Sequence, residues 1–130
     1  MPLEISIKEN KKDIYLVALT GELDTITSEQ LERELQPIFP KAIGIVFDLT
    51  NLRYISSMGL RVLAIAKKKM SEKNGNVLLV NPQPQIERVL EATKILTDSL
   101  LATLEQADEL LDSFLDKLQK GQIKPHQIKE

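Results

Sequence analysis

The chain has 130 residues, a formal net charge of −2, 42% hydrophobic and 28% charged residues, few aromatics, and no tryptophan or cysteine. That length suits one domain with a single core, which must be built from Leu, Ile and Val. Without cysteine there are no disulfides, no thiolate catalysis and no thiolate zinc sites, and the near-balanced charge supplies no field toward nucleic acid or an anionic membrane.

Met1-Pro2-Leu3-Glu4 lacks the basic-then-apolar order of a signal peptide. No apolar run approaches the roughly 20 residues that span a bilayer. The expectation is a cytoplasmic protein with no direct membrane insertion.

Along the chain, Leu3, Ile5 and Ile7 alternate with Glu4, Ser6 and Lys8, the period of a half-buried strand. A polar turn, Asn10-Lys11-Lys12-Asp13, leads to Ile14–Leu19, whose continuous apolar run suits a strand covered on both faces. The two predict an antiparallel hairpin ending at Gly21. A helix is predicted from about Thr27, with Thr27 and Gln30 as a capping box. Leu31, Leu35 and Ile38 share its apolar face, and Pro37 and Pro40 end it.

A buried strand is predicted over Ile43–Leu49, followed by a short polar turn and an apolar step at Tyr54-Ile55. A central helix should run from Ser57 to about Lys73, with Ser57 as N-cap accepting from the Gly59 or Leu60 N–H. Gly59 in its first turn would leave the helix start open to a partner or an anion. Lys67-Lys68-Lys69 sits where cations complement the helix dipole, and Gly75 stands near the expected left-handed cap position. Val77–Val80 reads as a strand. Pro84 opens a helix with Ile86, Val89 and Leu90 on its apolar face.

Leu100–Leu104 suits a last edge strand or a helix. Leu110, Leu111, Phe114, Leu115 and Leu118 form the stripe of a final helix, facing either the core or a dimer seam. The resulting fold class is α/β: a mixed sheet of four to five strands with four helices packed mainly on one side. Residues 1–120 make one domain and 121–130 a flexible tail.

Enzyme chemistry finds no foothold. The single histidine, His126, lies in the tail, so no Ser-His-Asp set can be built on the folded part. Ser56-Ser57-Met58-Gly59 lacks the glycine two places before a nucleophile-elbow serine. There is neither a Gly-rich phosphate loop nor a His or Cys cluster, so no catalytic, cofactor or metal residue is assigned. Asp48 reads as a partner for the Thr50 or Asn51 N–H. Asp24 either caps the first helix or takes part in docking.

The segment Asp48-Leu49-Thr50-Asn51-Leu52-Arg53-Tyr54-Ile55-Ser56-Ser57-Met58-Gly59-Leu60, with Gly21-Glu22-Leu23-Asp24 before it, resembles STAS domains of the anti-sigma factor antagonist type over roughly residues 3–117. Many members carry Asp at the position of Ser56 and a small hydroxyl residue at that of Met58. The resemblance makes Ser57 the matching phosphoacceptor, with Ser56 its rival. It implies a regulatory binding module whose unphosphorylated form binds an anti-sigma factor with serine kinase activity and so releases a sigma factor. Phosphorylation would break that complex and a serine phosphatase would restore it. The implied docking surface comprises Asp24, Ser56, Ser57, Met58, Gly59 and Arg61. The competing expectation is a STAS scaffold that is not switched, or an accessory subunit of a signalling assembly or membrane transporter.

Overall fold

A computed structural model of the chain describes residues 2–93 and 100–102. In order, the elements are β1 (Leu3–Lys11), β2 (Ile14–Leu23), α1 (Thr25–Leu35), β3 (Gly44–Ile55), α2 (Ser57–Ser71), β4 (Asn76–Val80), α3 (Pro84–Thr93) and β5 (Leu100–Ala102). They form one mixed sheet in the order β1-β2-β3-β4-β5. The β1–β2 hairpin is antiparallel, and every later pair is parallel.

Each parallel step is bridged by one helix and all steps advance in the same direction. Right-handed crossovers therefore place α1, α2 and α3 on the same face. Packing agrees. Val17, Leu19, Ile45, Phe47, Val77 and Leu79, which share one face by alternation, join Leu31 and Leu35 of α1, Leu60, Leu63 and Met70 of α2, and Ile86 and Leu90 of α3 in a single buried cluster. The other face carries Ile14, Val46, Leu78 and Val80, also buried. Burial of both faces explains the unbroken apolar runs of β2, β3 and β4.

Among the described residues there are three helices. The fourth helix expected over residues 110–118, its dimer-seam alternative, the end of the last strand and the 121–130 tail all lie outside the described residues. Within Leu100–Leu104, strand prevails over helix at Leu100–Ala102, paired with Leu78–Val80.

Three local expectations are corrected. The first helix begins at Thr25, not Thr27, because Asp24 takes the cap and Thr27 the third helical position. The third strand does not stop at Leu49. It continues through Thr50–Arg53 to Ile55, because β2 runs beside it to Leu23 and supplies a partner past two register shifts. The residue of positive φ after α2 is Asn74, at 64°, not Gly75. Gly75 is needed for closeness instead, since a methyl group there would run into the carbonyl of Ile43.

β4 pairs with β3 only as far as Asp48. Beyond that point two side chains stand where another strand would be. Gln83 Nε2 donates to the Thr50 carbonyl and Gln85 Nε2 to the Arg53 carbonyl, each at 3.0 Å.

Candidate functional site

The parallel pair β2–β3 ends in register at Leu23 and Ile55. Both strands turn directly into helices there, and the Ser56 N–H donates to the Leu23 carbonyl at 2.9 Å. The starts of α1 and α2 consequently lie side by side at the carboxyl ends of the two strands, where open parallel sheets commonly present their functional residues. Each junction follows one plan: a buried apolar strand end, a polar N-cap, a hydroxyl residue at the first helical position, then an exposed apolar side chain. In α1 these are Leu23, Asp24, Thr25 and Ile26, and in α2 they are Ile55, Ser56, Ser57 and Met58.

The cap of α2 is Ser56, not Ser57. Ser56 has extended backbone, with φ −91° and ψ 173°, and its hydroxyl accepts from the Gly59 N–H at 3.1 Å. The bond to Leu23 fixes the shift, because it keeps Ser56 on the strand side of the junction and makes Ser57 the first helical residue. Ser57 is exposed, and its hydroxyl makes no hydrogen bond to any described residue. Capping and display, which the sequence reading placed on one hydroxyl, are divided between neighbours.

At the other junction, Asp24 Oδ1 accepts from the Thr27 N–H at 2.8 Å, and Thr27 Oγ1 accepts from the Asp24 N–H at 2.8 Å, a reciprocal capping box. The Thr27 hydroxyl lies 2.8 Å from the Glu22 carbonyl and 3.0 Å from Asp24 Oδ1, and Ser28 Oγ donates to the Asp24 carbonyl. The Thr27 N–H stabilises the Asp24 carboxylate and, with the Thr27 hydroxyl and the Ile26 N–H, holds its pKa below the ordinary value against the opposing effect of desolvation. The expectation that Asp24 caps the first helix therefore describes its geometry, and the half-buried carboxylate still lies at the surface.

Gly59 is buried. A methyl group on it would lie 2.8 Å from Leu23 Cγ and Cδ2 and 2.9 Å from Ile55 Cγ1. Its smallness lets α2 close onto the strand ends, rather than leaving the helix start open. Arg61 is exposed one turn after Ser57, at the i+4 spacing that puts both on one helix face. Asp48 sits well back along β3, where its carboxylate accepts from the Thr50 N–H at 3.0 Å and the Thr50 hydroxyl at 2.6 Å. It is not part of the junction.

Sequence reasoning overlooked Ile26 and read Tyr54 only as part of an apolar step, without its exposure. Among the described residues, the exposed large hydrophobics are Ile26 (80% exposed), Tyr54 (49%) and Met58 (36%), and all three stand at this end of β2 and β3. A signal was present for Ile26. The buried face of α1 is Thr27, Ser28, Leu31 and Leu35, and Ile26 is out of phase with it. Among the described residues no group of three or more His, Cys, Asp or Glu is placed to hold a metal, and no helix is long and apolar enough to cross a membrane.

The STAS domain family model matches residues 5–107. BtrV, a proposed anti-sigma factor antagonist of Bordetella bronchiseptica, is 34% identical over 100 residues, covering 75% of this chain and 86% of BtrV. The anti-sigma factor antagonist SpoIIAA in its unphosphorylated form superposes with a TM-score of 0.76 at 19% identity, covering 85% of this chain and 97% of SpoIIAA. The phosphorylated form of SpoIIAA, a Bacillus cell fate determinant, superposes with a TM-score of 0.70 at 19% identity, covering 83% and 99%. These structural likenesses carry the fold, while the family match and the BtrV relationship carry the kinship: the chain is a STAS-domain protein of the anti-sigma factor antagonist family.

Proposed function

We propose that this chain is a cytoplasmic antagonist switched by reversible phosphorylation of Ser57, binding in its unmodified form an anti-sigma factor that is also an ATP-dependent serine kinase. Binding would free the sigma factor that this partner otherwise holds. In the transfer step Ser57 Oγ attacks the γ-phosphorus of ATP, ADP leaves, and the hydroxyl proton passes to a base supplied by the partner. A serine phosphatase returns the chain to its binding form. The observation that carries this reading is the exposed Ser57 hydroxyl, with no hydrogen bond to any described residue, beside a cap already provided by Ser56.

The consequence of phosphate is local. At the first position of a helix it adds about −1.5 to −2 charges where the helix dipole favours them, so the fold tolerates it. The docking face formed by Asp24, Ser56, Ser57, Met58 and Arg61 then carries a charge that a partner must desolvate next to the Asp24 carboxylate. Such couplings are typically about 1–3 kcal/mol, or about 5–150-fold in affinity.

The test is incubation with ATP and the candidate kinase, followed by peptide mass spectrometry across residues 54–61. Phosphate should fall on Ser57. Ser57→Ala should bind the partner and resist the kinase, and unchanged incorporation in that variant would move the site to Ser56 or elsewhere. Ser57→Asp should weaken binding by calorimetry within that range while leaving the melting temperature nearly unchanged. Equal affinity would reject the switch.

A further inference from the structure

Ile26 stands at the second position of α1 with 80% of its surface exposed, out of phase with the helix's buried stripe. Nothing among the described residues accounts for an isoleucine there. The first turn of α1 holds no acidic residue, although a carboxylate at that place would be favoured by the helix dipole. Met58 holds the equivalent place in α2, and Tyr54 stands on β3 opposite Glu22 of β2. Isolated surface hydrophobics need no explanation, but Ile26 and Met58 hold matching places on two adjoining helix starts, and such pairing points to an interaction site.

Resting on the Ser57 reading above, we propose that Ile26 is the apolar anchor of the docking surface, entering an apolar hollow on the anti-sigma factor while a cationic side chain of that partner meets Asp24. The two helix starts adjoin, because the Ser56–Leu23 backbone bond ties the junctions together. Its charge supports this occupant. Asp24, two residues before Ile26, keeps a capped carboxylate at the surface, which a cationic side chain of the partner would complement. The two junctions thus divide the labour. Ile26 contributes affinity by losing water-exposed apolar surface, and Ser57 decides whether that affinity can be used.

The position makes the test discriminating. Ile26→Glu places an acid in the first turn of α1, where it should leave the melting temperature unchanged or slightly raised, while removing the anchor. Calorimetric titrations would compare the full chain, Ile26→Ala, Ile26→Glu, Ile26→Val and Ser57→Asp against the anti-sigma factor that phosphorylates Ser57. Ile26→Ala should weaken binding roughly 10-fold, Ile26→Glu roughly 100-fold or more, and Ile26→Val should retain most affinity. Wild-type affinity in Ile26→Glu, with Ser57→Asp impaired, overturns the anchor and spares the switch. Wild-type affinity in both overturns the whole docking surface. Should no anti-sigma factor bind the unmodified chain, the Ser57 reading fails and the anchor with it. Sedimentation of the chain alone should show no association that Ile26→Glu abolishes. Such an association would make a second copy the occupant and overturn the proposal.

Discussion

The two strand-to-helix junctions share a plan and differ in how firmly they are tied. At the start of α1, Asp24 and Thr27 bond each other reciprocally at 2.8 Å, and the Thr27 and Ser28 hydroxyls are directed at the Glu22 and Asp24 carbonyls. At the start of α2 a single side-chain bond of 3.1 Å from Gly59 to Ser56 does the capping, and the third helical position has no side chain with which to answer. Both junctions display a hydroxyl and an apolar side chain, but the better-tied one carries the more exposed of the two hydrophobics, Ile26, and the sparer one carries the adjacent serines. A kinase must reach around the acceptor residue, and a helix start held by few side-chain bonds gives way more readily than one held by four. Under the proposals above, recognition falls on the helix start with more side-chain bonds and modification on the one with fewer.

That contrast can be broken by substitution. Thr27→Val removes the acceptor for the Asp24 N–H from a partly buried site and should cost about 1–3 kcal/mol by urea denaturation. Gly59→Ala sets the gain in helix propensity, about 1 kcal/mol, against crowding of the buried Leu23 side chain at about 1–3 kcal/mol, for a net loss of about 1 kcal/mol. A gain in stability would mean that the contact with Leu23 yields freely. Ser56→Ala, which loses one long bond at a half-buried cap, should cost about 0.5–1 kcal/mol. Were it to cost more than Thr27→Val, the ranking of the junctions would be reversed.

The smallest effect is acid sensitivity. The Asp24 pKa is lowered in the folded chain, so its contribution is fully present above the unfolded carboxylate value of about 4 and is lost as pH falls through the lower folded value. Asp24→Asn keeps a capping oxygen and should flatten that part of the profile in thermal melts taken from about pH 5 to pH 2. Parallel profiles for the two proteins would show that the carboxylate does not gain stability from its bond to Thr27.

Most of the sheet was legible because its cause is periodic. Alternation in Leu3–Ile7 and unbroken apolar runs at Ile14, Ile45 and Val77 need only burial on one or two faces to become strands. The junctions were harder to read because their details are tertiary. Two adjacent serines offer equivalent caps, and the choice falls on Ser56 through a bond to Leu23, a residue distant in sequence. Thr50-Asn51 has the composition of a turn, yet the neighbouring β2 backbone holds it as strand. The motif singled out Ser57, the fall of the capping role to Ser56 could not be read from it, and Ile26 passed unnoticed between two threonines although its phase set it apart.

The amides of Gln83 and Gln85 have a consequence far from either junction. The stretch of β3 that outruns β4 has backbone carbonyls that any extended peptide could engage, the usual beginning of unwanted strand-to-strand growth between molecules. By satisfying two of those carbonyls with side chains, the loop leaving β4 and the first turn of α3 block such templating without adding a strand. Two glutamines outside the hydrophobic cluster thus shield this stretch of β3 from recruiting a further strand.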